Sequence, residues 1–205
     1  MNTTWDHSLF LLLNFDGGAF LDSVMLFISG KTSWIPLYAL ILFLIYRINR
    51  WSGVAFAIVA IGVAVGLSDI IAGIFKHSGL LDNLLPNFPV RLRPMHEPLL
   101  EGLVHSVKRG GMNGTVSAHA ATAFSIGFIA TSTIKSRWFC IVMWSQVALV
   151  CYSRNYLGYH YPQDILLGIG IGQLAGGVMW WLLRSKIVGR SSSSERYSNP
   201  YERFR

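Results

Sequence analysis

The chain has 205 residues, 52% of them hydrophobic and 13% charged, about half the charged share of an ordinary soluble domain. That balance excludes a typical soluble globular protein and predicts an all-α integral membrane bundle whose partner is the lipid bilayer. The net charge of +7 does not indicate a nucleic-acid partner, because the cations are scattered among apolar stretches and form no basic face.

The N-terminal segment, with Trp5, Asp6, Phe10 to Leu13 and Asp16, mixes apolar and acidic residues and lacks the basic start of a signal peptide. It predicts a short interfacial helix retained in the mature protein. Five apolar windows then follow: Trp34 to Ile48, Val54 to Phe75, Ala118 to Ile134, Trp138 to Tyr152 and Ile165 to Leu183. Each is close to the length of about 17 to 25 residues that spans a bilayer. The weaker stretch Phe20 to Ser29 makes a sixth, so about six transmembrane helices are expected. Gly62, Gly66 and Gly73 in the second window and Gly168, Gly170, Gly172, Gly176 and Gly177 in the last predict close helix packing at the centre of the bundle. Trp34, Trp51, Trp138, Trp180 and Trp181 fall near segment ends, where amphipathic rings favour the headgroup layer. Cys140 and Cys151 share one predicted helix about 16 Å apart, too far for a disulfide.

Residues 1–183 read as one membrane domain containing an active-site loop, 76–116, and 184–205 read as a disordered basic tail. With six spans, Arg47, Arg50, Lys135, Arg137 and the tail cations share one side, which the positive-inside bias makes cytoplasmic. Lys31, Lys76, Arg91, Arg93, Lys108, Arg109 and Arg154 share the other. A site there faces outward, toward periplasm or exterior.

Three polar clusters interrupt the apolar pattern on that outer side: Lys76 with Arg91-Leu92-Arg93-Pro94, then Ser117-Ala118-His119, then Ser153-Arg154 through His160 to Asp164. Ionisable groups at the edge of a hydrocarbon layer are normally paired, and Arg, His and Asp together suggest anion chemistry. In order and spacing the clusters resemble the three motifs of the type-2 phosphatidic acid phosphatase family. The third motif, serine-arginine, five residues, histidine, three residues, aspartate, matches at Ser153, Arg154, His160 and Asp164. The second usually carries a proline before its serine, whereas this chain has Val116-Ser117-Ala118-His119. In the first, Arg93-Pro94 fits, but the position of the family's lysine is Pro86; Lys76 or Arg91 is left to fill that cationic role. The resemblance runs from about Leu21 to Leu183, and the Arg-Leu-Arg-Pro element is similar to bacterial members, which favours an envelope lipid.

The resemblance implies a membrane lipid phosphatase needing no metal and no cofactor. His160 would take the phosphoryl group as a phosphohistidine, Asp164 would orient it, and His119 would serve as general acid and base. Chemistry gives the cations a matching reason: Lys76, Arg93 and Arg154 can stabilise charge spread over phosphoryl oxygens, and an arginine fork meets two oxygens at once. Ser117 follows Gly110, Gly111 and Gly114 and precedes a helix starting near Ala118, so its hydroxyl and adjacent N–H groups can cradle an anion. Undecaprenyl diphosphate, phosphatidate, phosphatidylglycerophosphate and the phosphates of lipid A all suit such a site, because the motifs bind only the shared phosphate.

His96, Glu97, Glu101 and His105 lack the spacing that puts two imidazoles on one helix face, so they are not read as metal ligands. Pro98 instead predicts a short amphipathic helix, Leu99 to Val104, lying over the site. Asp69 is expected to pair with a hydroxyl in the bundle, and Tyr156, Tyr159 and Tyr161 to line the interface, with Tyr161 a candidate substrate contact. Two rival readings are a vanadium haloperoxidase of related site design, argued against by the apolar composition, and a lipid-binding or transport protein, which would not need an aspartate-oriented histidine.

Overall fold

A computed structural model describes residues 4–76 and 90–188 of the chain. The middle of the expected active-site loop, 77–89, and the expected tail from 189 onward lie outside the described residues. The described secondary structure is helical: α1 (Thr4–Leu13), α2 (Gly18–Ser29), α3 (Ile35–Ile74), α4 (Ala118–Ile134), α5 (Arg137–Tyr156) and α6 (Pro162–Ile187). All six apolar windows lie within helices or overrun one end by a single residue. The N-terminal segment is helical as expected, and α6 runs four residues beyond Leu183, so the expected tail begins as helix.

The long helix α3 is broken at Asn49 and Arg50, where φ/ψ are −138°/30° and 51°/−154°. Its arms, 35–48 and 51–74, fold back on one another, since Tyr38, Ile41 and Leu42 line one cavity with Ile58, Ile61 and Gly62. Asn49 fastens this reversal by donating from Nδ2 to the carbonyl of Lys186 at 2.7 Å. By length and composition, two helices among the described residues can cross a membrane: Thr32–Ile74, which includes α3, and α6. The pair α1 and α2, bent by 114°, makes a third if taken as one broken span. Helix α4, at 17 residues, is short for a span, and α5 carries Arg137, Gln146 and Arg154, which dilute its apolar character.

Helix α4 lies at the centre, packed against α3, α5 and α6. Gly168, Gly172 and Gly176, four residues apart on the side of α6 that faces α4, each bring backbone to backbone. A Cβ added at Gly168 would lie 2.4 Å from the Ser117 carbonyl oxygen, at Gly172 2.3 Å from that of Ala121, and at Gly176 3.0 Å from that of Ser125. Ser125 closes this seam by donating to the Gly172 carbonyl at 3.0 Å. The sequence expectation therefore holds for this stripe, whereas Gly170 faces open space. It fails for Gly62, Gly66 and Gly73, which have nothing within 4 Å of an added Cβ. On that helix the small residues that pack inward are Ala57, Ala60, Ala64 and Ala72, all buried.

Gly172→Leu is accordingly expected to lower stability by about 3 kcal/mol, the upper end of ordinary overpacking, since a backbone carbonyl cannot move aside as a side chain can. Gly62→Leu should stay within about 0.5 kcal/mol of the parent. Thermal unfolding of both variants in the same detergent is the check, and equal losses would refute the seam.

The amphipathic helix expected over Leu99 to Val104 is absent. Two single 3₁₀ turns stand there instead, Pro94–His96 and Pro98–Leu100, and the chain leaves helical geometry at Gly102 with φ +77°. Two prolines at turn starts and a left-handed glycine leave too few residues for a helical nucleus. Leu99 and Leu103 nonetheless project outward, more than half exposed.

Candidate active site

The three clusters converge at one end of the bundle because the helices alternate in direction. Lys76 follows α3, Ser117 and His119 open α4, Arg154 closes α5, and Asp164 lies in the first turn of α6. Between α5 and α6 the chain turns at Gly158, whose φ of +72° suits a residue without Cβ. The N–H groups of Tyr159 and His160 both donate to the Arg154 carbonyl, at 3.0 and 3.2 Å. Pro162 then opens α6, and the Asp164 carboxylate accepts from the Tyr161 N–H at 3.1 Å, a capping bond at the helix start. The Ser117 N–H reaches the Asp164 carbonyl at 3.0 Å, which ties the starts of α4 and α6 together.

His160 is 1% exposed. Its Nδ1 lies 2.8 Å from the Gly114 carbonyl oxygen and 3.4 Å from Asp164 Oδ2. A carbonyl only accepts, so Nδ1 must carry the proton and Nε2 the lone pair. Asp164 thus touches the ring as expected, but Gly114 makes the shorter bond and fixes the tautomer. Burial first, then the charges of Arg154, Arg93 and Lys76, hold the imidazole well below its ordinary pKa, so it is neutral at neutral pH.

Those three cations are the ones the sequence selects, and each lies near enough to His160 to disfavour its charged form. Tyr159 spaces two of them: the Arg154 guanidinium lies 4.3 Å and that of Arg93 5.7 Å from its ring centre. Arg154 also donates to the Ser29 hydroxyl, and Arg93 Nε to the Asn113 carbonyl at 3.1 Å. Asn113 in turn donates to the Lys76 carbonyl at 3.0 Å. Burial is the main cause lowering the Lys76 ammonium, with Arg93 and Arg154 next and Asp69 and Asp164 acting against them. Gly110 makes room for this cluster, since a Cβ there would lie 2.3 Å from Arg93 Nη1 and 3.0 Å from the Tyr159 ring.

Above the cluster opens a cleft of about 750 Å³ lined by Arg93, Lys108, Arg109, His119, Arg154 and Tyr159, among others. His119 also lines a second cavity, about 440 Å³, with Lys31, Trp34, Tyr38, Asp69 and Gln146. Ser117 is fully buried, and its hydroxyl accepts from the Ala120 N–H at 3.4 Å. It therefore caps α4 rather than lining the cleft.

Arg91 lies behind the site. Only 7% exposed, it donates to Asp6 Oδ2 at 2.5 Å and stands 3.7 Å from Asp164 Oδ1. Tyr161, fully buried, lies under it, with the guanidinium 3.5 Å from the ring centre, so this tyrosine faces away from the cleft. Ser68, and not Asp69, makes the bundle hydroxyl contact, 3.1 Å from Ser125 Oγ; Asp69 faces the second cavity. His96 meets the Gly110 carbonyl at 3.1 Å, while His105 meets Asp22 at 2.8 Å. Sequence reading gave Lys31, Lys108 and Arg109 a side of the membrane but no role, and the pair Lys108-Arg109 before two glycines was the available signal. It gave Asp6 none.

The sequence model of the PAP2 superfamily matches residues 57–187. A lipid A 4′-phosphatase of Bacteroides thetaiotaomicron is 32% identical over 189 residues, covering 89% of this chain and 79% of that protein. A lipid A 4′-phosphatase of Porphyromonas gingivalis is 29% identical, covering 91% of this chain and 77% of that protein. Among solved structures, Aquifex aeolicus LpxE superposes with a TM-score of 0.66 at 23% identity, over 88% of this chain and 97% of that one. The matched segment contains every motif residue that meets at the cleft, and the chain belongs to the PAP2 superfamily.

Proposed function

We propose that this chain removes phosphate from an envelope lipid through a phosphohistidine on His160. The class is that of a membrane lipid phosphatase, a hydrolase of lipid phosphate esters. The observation that carries the mechanism is the buried, neutral His160 with its proton fixed on Nδ1 by Gly114, set among Arg93, Arg154 and Lys76.

In the first step His160 Nε2 attacks phosphorus, the bond from phosphorus to the lipid oxygen breaks, and His119 gives that oxygen a proton. In the second, His119 takes a proton from water, the water oxygen attacks phosphorus, and the P–N bond breaks to release phosphate. His119 suits both roles because it borders the cationic cleft on one side and the second cavity, running down between the helices, on the other. Arg93, Arg154 and Lys76 supply the positive charge that stabilises the transferring phosphoryl group. Arg91 takes no part in binding it, and Ser117 acts by shaping the start of α4. The cleft faces the periplasm or exterior of a bacterial cytoplasmic membrane, with the C-terminus in the cytoplasm.

Among candidate lipids, the two relatives matched over about nine-tenths of the chain are lipid A 4′-phosphatases, which favours a phosphate of lipid A. An undecaprenyl-diphosphatase of Sulfolobus acidocaldarius, 24% identical, keeps the diphosphate as second choice. Phosphate release by the purified, detergent-solubilised protein in the presence of chelator, measured on lipid A, undecaprenyl diphosphate, phosphatidate and phosphatidylglycerophosphate, tests this. Lipid A is expected to give the highest kcat/KM. A higher value on another lipid would reassign the substrate, and activity abolished by chelator would defeat the metal-free scheme.

A further inference from the structure

Helix α1 lies outside the segment matched to the family, yet its Asp6 is fully buried against the catalytic end of the bundle. Asp6 Oδ2 takes the Arg91 guanidinium at 2.5 Å, and Asp6 Oδ1 accepts from the Gln163 N–H in the first turn of α6 at 3.0 Å. Arg91 reaches on to Asp164 Oδ1 at 3.7 Å, while Asp164 Oδ2 stands 3.4 Å from His160 Nδ1. The backbone repeats the connection: the Gly114 N–H donates to the Arg91 carbonyl at 2.9 Å, and the Gly114 carbonyl accepts from His160. Burying two carboxylates and one guanidinium is costly unless the three charges compensate one another.

We propose that Asp6 and Arg91 are positioning residues that orient Asp164 and set its charge behind His160, making α1 a working part of the active site. The proposal rests on the phosphohistidine reading above. Two carboxylates share one guanidinium in the cluster. Asp6 engages it at 2.5 Å, which leaves it 3.7 Å from Asp164 Oδ1, so Arg91 orients Asp164 without closing on it. A negative charge at Asp164 matters when His160 accepts the phosphoryl group, because the ring then becomes cationic. With Asp6 neutral, Arg91 would pair fully with Asp164 and cancel the charge.

Asp6→Asn keeps an acceptor for the Gln163 N–H and nearly the same shape, but removes the charge. The rate of phosphohistidine formation in a single turnover, quenched in alkali, is expected to fall about 10- to 100-fold, the scale on which misplacement beyond the reacting groups acts. KM should stay within about twofold, and Asp6→Glu should restore most of the rate. Asn14→Ala is the control for simple tethering. Asn14 anchors the far end of α1 to the carbonyls of His105, Asn155 and Tyr156 and touches neither Arg91 nor Asp164. It should lower Tm and leave the rate within about twofold. A rate in Asp6→Asn within twofold of wild type would overturn the proposal, as would losses in both variants that simply follow their losses in Tm. His160→Ala, run alongside, separates the two layers: residual turnover there defeats the phosphohistidine reading itself, whereas a dead His160→Ala beside an unaffected Asp6→Asn defeats only the role of α1.

Discussion

Replacing His160 by alanine is expected to reduce phosphate release on the order of 10⁴-fold or more, the scale on which removal of a covalent nucleophile acts. The loss should appear in kcat and should not be recovered at high substrate, because Arg93, Arg154 and Lys76 remain in place to bind the phosphate. Folding should survive, since the ring holds one bond to Gly114 and one long contact to Asp164, and thermal unfolding checks this. The same environment makes a second readout. Burial and three neighbouring cations both disfavour the charged imidazole, so lowering the pH protonates His160 later than an ordinary histidine. Its ¹⁵N signals should still be those of the neutral ring, protonated on Nδ1, at about pH 6. A protonated ring at that pH, or turnover surviving in His160→Ala, would contradict the assignment.

The residues legible in the sequence are those whose chemistry is local. Ser153 through Asp164 runs from the last turn of α5 across one short connection into the first turn of α6, so its spacing already encodes the geometry that brings Arg154, His160 and Asp164 together. The apolar windows were legible for a similar reason, because hydrocarbon rewards continuous runs. What the sequence hid depends on contacts between distant segments. Arg91 and Arg93 are two positions apart and chemically alike, yet in the short extended stretch Arg91 to Arg93, bridged through Leu92 to Asn113, one guanidinium enters the cleft and the other meets Asp6, 85 residues away. Composition also cannot tell which small residues face a neighbour. The glycines of α6 meet α4, but on α3 alanines do so while Gly62, Gly66 and Gly73 face away. The lid helix failed because prolines and Gly102 set local geometry that apolar periodicity does not reveal.

Why Asp164 needs help from behind follows from the site's electrostatics. The cleft gathers Arg93, Lys108, Arg109 and Arg154, and with Lys76 this field favours an incoming phosphate but opposes a ring that becomes cationic on phosphorylation. A carboxylate against Nδ1 offsets that opposition at short range without facing the substrate. Gly114 contributes a dipole at the same nitrogen and leaves the Nε2 lone pair to the proposed attack. In the proposed mechanism, attraction of the substrate at Nε2 and stabilisation of the intermediate at Nδ1 would therefore come from opposite sides of one imidazole.

His119→Ala is expected to slow turnover about 10²- to 10⁴-fold, the usual contribution of general acid and base catalysis. The loss should depend on the leaving group. A lipid alkoxide is a poor leaving group and needs the proton His119 supplies, whereas an aryl phosphate such as p-nitrophenyl phosphate leaves without one. With the aryl substrate the variant should form phosphohistidine at a rate near that of the wild type and then stall, because the second step still needs a base for water. A rapid burst of p-nitrophenol equal to the enzyme concentration, followed by a slow phase, is the signature. Equal slowing of burst and steady state would show that His119 binds the phosphate instead of transferring protons. Its place bordering both cavities argues for the burst, since a group that served only to bind would face the cationic cleft alone.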